Sequence, residues 1–290
     1  MRDQAEKLRM KILEQQGQLG RAIAIVSGKG GVGKSNFTTN FAVLLAKQGK
    51  KVVIVDMDLG MANVHLLLGA QTRFHLKDYL EGKASLESII TSAPYDFHYI
   101  SGGSGFSSVV EWSEEMFNAL IHCFEELQKK FDFILFDMGA GATNWSLDLM
   151  TSIGEVIVIT TSEPTAMTDA YSMMKYIHLK DSEKTFYLVC NRTYSKEEGD
   201  ETLSRLQKTM AKFLDKEAFA LGSLPEDAAV RKSVIEQVPF TISDPNARIS
   251  KAIQQIAHRF IRSEKELEQS PVSATYTFLW KLKRIFLGRS

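Results

Sequence analysis

Residues 28–35 read GKGGVGKS, and what flanks them restricts the fold around them. Residues 22–27 form an apolar run of strand length, while 36–48 carry Phe37, Phe41, Leu44 and Leu45 at helical spacing. A GxxxxGK octet closed by Ser or Thr, set between a strand and a helix, is a phosphate-binding loop. Its glycines (Gly28, Gly30, Gly31 and Gly33) let backbone N–H groups turn inward around phosphate oxygens, at the positive end of the helix that starts there. Val32 and Asn36 complete the cradle. Lys34 is expected to reach the terminal phosphates, and the Ser35 hydroxyl to bind Mg2+. The octet therefore predicts a nucleoside triphosphate site.

The rest of the chain reads as the sheet such a loop needs. Strand-like runs near 22–27, 52–56, 97–101, 133–137, 156–160, 186–191 and 218–224 alternate with amphipathic helices. That order predicts an α/β fold: a doubly wound, mainly parallel sheet of P-loop NTPase architecture. Most of these runs end on a polar residue, and the carboxyl ends of strands are where open α/β sheets hold ligands. With 290 residues, 44% of them hydrophobic, there is material for one large core. A formal net charge of zero argues against a surface given over wholly to nucleic acid. Cys123 and Cys190 lie far apart with no CxxC, so neither a disulfide framework nor an iron–sulfur site is indicated, and the histidines lack metal-ligand spacing. No signal peptide and no membrane-length apolar run is present, so a cytoplasmic protein is expected.

Two strand ends carry carboxylates. Residues 131–137, FDFILFD, end in Asp137, the arrangement in which a buried strand delivers a metal-side aspartate. Gly139, Ala140 and Gly141 follow as a flexible loop suited to sensing the terminal phosphate. In 52–63, VVIVDMDLGMAN, Asp56 ends the strand beside the metal and Asp58 follows two residues on. The family resemblance given next implies that Asp58 would orient or deprotonate the attacking water; a free carboxylate is a weak base, so positioning and slow turnover are expected. Capping the next segment is the plainer role for Asp58.

A second lysine narrows the class. Lys29 directly follows the first glycine, and KGGVGKS resembles the deviant Walker A signature of the MinD/ParA family of ATPases. The resemblance implies that Lys29 crosses a dimer interface to the partner's nucleotide and stabilises charge developing on the transferred phosphoryl group. It makes 52–63 switch I and the DMGAG of 137–141 switch II. Septum-placing MinD proteins typically carry a proline within that loop, and its absence favours the flagellar branch. It also implies ATP, held at the base by Asn191 and Arg192 after one strand and by Pro225 and Glu226 after the next. The GTP-selecting NKxD pattern is replaced by CNRT.

The two ends suggest partners. Residues 275–287, TYTFLWKLKRIFL, project Phe278, Leu279, Leu282, Ile285 and Phe286 onto one helical face, with Lys281, Lys283 and Arg284 making the helix basic. That composition fits an interfacial helix on anionic lipid, peripheral to the inner face of the cytoplasmic membrane. A helix docked for good on the domain shows the same pattern, but the polar link before it favours a detachable one. MinD-type ATPases are similar in carrying a membrane-targeting helix, which ATP-dependent homodimerisation would strengthen by avidity. At the other end Asp3, Gln4, Leu8 and Arg9 lie in DQAEKLR, which resembles the DQAxxLR activator segment of the FlhG (FleN or YlxH) branch. The resemblance implies stimulation of FlhF, a GTPase of the signal-recognition-particle type, with Gln4 ordering the partner's site and Leu8 as anchor. It also implies flagellar switch-ring (C-ring) components as partners. Four parts are expected: a partner-activating segment 1–20, an ATPase domain 21–263, a linker 264–274 and a membrane helix 275–290. A septum-positioning MinD and a ParA-type DNA-partitioning ATPase are the alternatives. The latter needs a basic surface for which the sequence offers no clear support, so no nucleic acid is expected.

Overall fold

A computed structural model describes residues 19–58, 63–103, 113–139, 144–267 and 275–287. Eight strands form a single sheet: β1 (Arg21–Val26), β2 (Val52–Met57), β3 (Thr91–Ser92), β4 (His98–Ile100), β5 (Phe133–Met138), β6 (Glu155–Thr161), β7 (Thr185–Thr193) and β8 (Ala218–Pro225). Their order is β3-β4-β2-β5-β1-β6-β7-β8, parallel except for β3 against β4. The seven expected strands are all present; β3, at two residues, is too short to show a pattern.

The helices are α1 (Lys34–Lys47), α2 (Glu114–Lys130), α3 (Asn144–Ser152), α4 (Pro164–Lys180), α5 (Lys196–Leu214), α6 (Ala228–Glu236), α7 (Arg248–Leu267) and α8 (Thr275–Leu287), with short turns at Val64–Leu67, Leu76–Leu80, Leu86–Ile89 and Phe240–Ser243. Central strands are covered on both faces, which is why they read as continuous apolar runs. Alternation along β1 divides the core: Ala22, Ala24 and Val26 pack with α2, α3, α4, α5 and α8, whereas Ile23 and Ile25 pack with α1, α6 and α7.

The ends differ from expectation in two respects. α7 runs through Leu267, so the link expected from 264 begins as helix. Glu264, Lys265, Glu266 and Leu267 are good helix formers, and polarity alone does not end a helix. Residues 268–274, like 1–18 with Asp3, Gln4, Leu8 and Arg9, lie outside the described residues. Secondly, α8 is docked on α2 and α3. Phe278, Leu279 and Leu282 are buried in the core, the Phe278 ring 5.8 Å from Phe124 and 5.6 Å from Phe136. Lys281 pairs with Asp181, and Lys283 Nζ lies 2.8 Å from Glu125 Oε1. Arg284 is exposed and stacks over Trp280; the side chains of Ile285 and Phe286 are outside the described set. An apolar helix face accepts protein or lipid alike, so the pattern alone did not distinguish them.

Candidate functional site

The phosphate loop follows from local backbone requirements. Gly33 is the N-cap of α1 in the left-handed region at φ 92, and the first helical bond runs from the Phe37 N–H to the Gly33 carbonyl at 2.9 Å. The N–H groups of Lys34, Ser35 and Asn36 are thus first-turn donors without an acidic side chain among them, a ready anion cradle. Gly28 serves close approach: a Cβ there would stand 2.2 Å from the backbone carbonyl carbon of Asp169 on α4. Lys29, Gly30 and Gly31 are exposed, while Val32 is buried and anchors the loop.

The Asn191 side chain, expected at the base, is engaged within the chain. Its Nδ2 donates to the Val32 carbonyl at 2.7 Å and its Oδ1 accepts the Arg192 N–H at 2.9 Å, so the side chain braces the phosphate loop. Arg192 is exposed at φ 57. The Glu226 N–H bonds the Thr193 carbonyl at 2.9 Å, which holds Pro225 and Glu226 beside the end of β7, where Arg192 stands.

Asp56 and Asp137 are register partners on β2 and β5, both 1% exposed. Asp56 Oδ1 accepts the Asp58 N–H at 3.0 Å, and Oδ2 accepts those of Asn63 and Val64 at 3.0 and 3.2 Å, so one carboxylate holds both ends of switch I. Burial, then the neighbouring Asp137, push the Asp56 carboxyl up to about 7 against the opposing pull of those N–H groups and Lys34. Asp137 Oδ1 accepts from Lys34 Nζ at 2.6 Å and from Thr38 Oγ1 at 3.2 Å. Its Oδ2 is buried and has no hydrogen-bond partner among the described residues. An orphaned carboxylate oxygen beside a second buried carboxylate suits a hard cation. Asp137, Asp56 and Ser35 therefore fit Mg2+, an ion that takes few protein ligands and keeps water and phosphate for the rest. Thr38 was not foreseen, although its place one turn after Lys34 puts it on the same helix face.

The two switches touch: a Cβ on Gly139 would lie 3.4 Å from Asp58 Cα and Cγ. Gly141 lies outside the described residues. Lys29 Nζ pairs with Glu163 Oε2 at 2.9 Å and approaches Thr165 Oγ1 at 3.5 Å, on the first turn of α4 in its own chain. Ser162 donates to Glu198 Oε1 at 2.6 Å, and Glu198 Oε2 accepts the Tyr194 N–H at 2.6 Å, fixing that turn to the start of α5.

With this geometry in view, a ParA family model, described as NUBPL iron-transfer P-loop NTPase, matches residues 18–261. Cys123 and Cys190, the chain's two cysteines, are fully buried on α2 and β7. The antiactivator FleN of Pseudomonas aeruginosa is 32% identical, the match covering 82% of this chain and 85% of that one. The flagellum site-determining protein YlxH of Helicobacter pylori is 33% identical over 81% of this chain and 80% of its own. Among solved structures, the septum site-determining protein MinD of Pyrococcus horikoshii, complexed with Mg-ADP, aligns with a TM-score of 0.69 at 28% identity over 88% of this chain and all of that one.

Proposed function

We propose, on the premise that this chain belongs to the MinD/ParA family of P-loop NTPases and resembles its flagellar members FleN and YlxH, that it is an ATP-driven switch regulating flagellar placement and number. The chain is an ATPase of that family. The observation that carries the switch reading is the place of α8: it rests on α3, which begins directly after the loop that follows Asp137.

Ser35, Asp56 and Asp137 would hold Mg2+, which when bound neutralises phosphate charge and aligns the terminal phosphoryl group. Lys34 exchanges Asp137 Oδ1 for the phosphates. Arg192, Pro225 and Glu226 border the adenine, and Asn191 acts through Val32. Lys29 leaves Glu163 for the nucleotide of a second copy, and Asp58 orients the attacking water. Gly139 and Gly141 follow the terminal phosphate, and the movement reaches α3. α8 then leaves its groove, and Phe278, Leu279, Leu282, Ile285 and Phe286 enter anionic lipid while Lys281, Lys283 and Arg284 meet its headgroups. Two helices on one dimer give the avidity that one lacks. Among the described residues no helix is long and apolar enough to cross a membrane; the association proposed is peripheral, at the cytoplasmic face. The 1–20 segment, through Asp3, Gln4, Leu8 and Arg9, is the proposed stimulator of FlhF, with C-ring components as further partners.

The test is Asp58→Ala with ATP and anionic vesicles. The variant should retain ATP and accumulate as a vesicle-bound dimer; a monomer at saturating ATP contradicts the switch. Flagellar output is tested separately by FlhF GTP hydrolysis with a peptide of residues 1–20 and its Gln4→Ala control. Stimulation lost in the control supports the assignment, and no stimulation moves the search to septum or DNA partners.

A further inference from the structure

On a chain of zero formal net charge, α7 gathers cations on one side. Ile249, Ile253, Ile256, Ala257 and Phe260 are buried in the core, whereas Arg248, Lys251, Gln255, His258, Arg259 and Arg262 are exposed on the opposite side. No aspartate or glutamate occurs between 248 and 262. Some exposed helix cations elsewhere do sit beside carboxylates, as in Lys129 with Glu126, Arg205 with Glu201 and Lys232 with Glu236. Among the described residues, Arg248, Lys251, Arg259 and Arg262 form no ion pair. Four uncompensated cations on one helix face set up a local positive potential that the chain's net charge conceals.

Beside this stripe lies β8, the last strand of the sheet. Its pairing with β7 slips by one residue, Leu188 opposite Ala220 and Val189 opposite Gly222, leaving Leu221 as a bulge. Gly222 is at φ 141, and a Cβ on it would come within 3.0 Å of Arg259 Nη1, so the glycine makes room for the guanidinium. Arg259 Nη1 donates to the Leu221 carbonyl at 2.7 Å, and Arg248 Nη2 to the Glu226 carbonyl at 3.4 Å. Each arginine is thereby fixed at one nitrogen with further donors to spare. Between them opens a cavity of about 310 Å3 whose lining includes Pro225, Ala252 and Ile256 together with Lys196, Arg248 and Arg259. Tyr194, 86% exposed, stands at its edge.

We propose that the α7 stripe and the β8 groove together form a docking surface for an acidic, extended peptide segment of a partner protein. Its carboxylates lie along Arg248, Lys251, Arg259 and Arg262, and an apolar side chain fills the groove. A polyanionic duplex is the weaker fit. The apolar side chains of Pro225, Ala252 and Ile256 in the groove offer phosphates nothing, whereas they can pack an apolar side chain of a peptide. From Arg248 to Arg262 the helix rises about 21 Å, the reach of roughly six extended peptide residues. DNA instead carries a charge every ~1.7 Å and runs on past both ends. The surface meets the proposed adenine border at Pro225 and Glu226 but uses none of the phosphate or metal groups, and is an addition to them.

The experiment is fluorescence anisotropy of the full chain with a labelled peptide of alternating glutamate and leucine, a lysine–leucine peptide as control, and mixed-sequence duplex DNA as competitor. The acidic peptide should bind, and added salt should weaken it. Lys251→Glu with Arg262→Glu, which breaks no backbone hydrogen bond, should weaken it about tenfold or more, as should Arg248→Glu with Arg259→Glu, while Lys208→Glu on α5 should leave it unchanged. Equal affinity in wild type and charge-reversed variants, or no binding at millimolar peptide, overturns the proposal. Duplex DNA that outcompetes the peptide and is itself lost in the variants would make the stripe a nucleic-acid site. Melting curves of the variants show that each is folded, and vesicle binding with ATP by the Lys251→Glu, Arg262→Glu variant reads the switch independently.

Discussion

Replacing Asp137 by asparagine tests how the site balances charge without nucleotide. Lys34 is 8% exposed and Asp137 1%, with Nζ and Oδ1 at 2.6 Å, so each screens the other where water does not. Removing one partner of a buried pair costs about 3–5 kcal/mol. Two features of this site lower that figure. Asparagine keeps an oxygen for Lys34 and Thr38, and the substitution ends the repulsion that raises Asp56. A loss of about 2–3 kcal/mol remains, which for a domain of this size is a fall in Tm of roughly 5–10 °C. The nucleotide response should then invert with metal. In wild type, Lys34 must abandon Asp137 to meet a phosphate; in Asp137→Asn it is already in need of an anion. ATP in EDTA should therefore bind the variant more tightly, by up to the same 2–3 kcal/mol or about 30- to 150-fold. With Mg2+ that advantage should vanish, because the metal loses a ligand. Thermal unfolding with ATP in EDTA and in Mg2+ measures both effects. A nucleotide-free Tm within about 2 °C of wild type, or equal stabilisation of the two proteins by ATP in EDTA, would refute the reasoning.

Further outcomes follow from other contacts. Glu163→Gln releases Lys29 from an exposed pair, so stability should change by less than about 1 kcal/mol while dimer forms at lower ATP in sedimentation velocity; an unchanged or higher ATP midpoint contradicts the restraint. Lys184 is fully buried, donates to the Thr151 and Ile153 carbonyls, and faces Asp181 and Lys281. Burial lowers it from 10.5 to about 8. Between those values the unfolded chain holds the proton and the folded chain does not, so stability should rise with pH across that window, by at most about 3 kcal/mol. Lys184→Met should remove that slope in urea unfolding, and parallel pH profiles would count against it. Gly33→Ala puts a Cβ 2.4 Å from Asn191 Nδ2 at φ 92, and should weaken nucleotide binding by about tenfold or more. Asn191→Ala in the same chain should recover only part, since the backbone strain stays, and full recovery in a fluorescent-nucleotide titration would argue against strain.

What could be read from the sequence was short in range. The phosphate loop and the strands ending in Asp56 and Asp137 depend on a few adjacent residues, and seven of eight strands were found on that basis. Contacts that require a fold were not legible. Glu163 meets Lys29 from 134 residues away, and Thr38 matters only because α1 turns it toward β5. Asn191 sits at the expected strand end, and one of its amide N–H donors goes to the Val32 carbonyl, which no spacing announces. For α8 the apolar face was evident and its covering was not, since Phe124 and Phe136 come from distant segments. The α7 stripe escaped notice for a different reason: a net charge summed over the chain averages away a segregation that only a helix makes visible.

The pairing of β2 with β5, from Val52 opposite Phe133 to Met57 opposite Met138, gives the site a fixed gauge. Asp56 and Asp137 face one another across a single interstrand spacing, about 4.8 Å, enforced by a continuous ladder rather than by loops. A cation held by both carboxylates, as proposed, would have its size judged by the sheet. Mg2+ at 2.0–2.1 Å from oxygen and Ca2+ at 2.3–2.6 Å ask for different jaws, and this pair of jaws is cast in one piece with the core. Insertion of one residue upstream in β5 would turn Asp137 to the opposite face and leave the sheet otherwise plausible. Tolerance to change in these strands is therefore set by counting as well as by hydrophobicity.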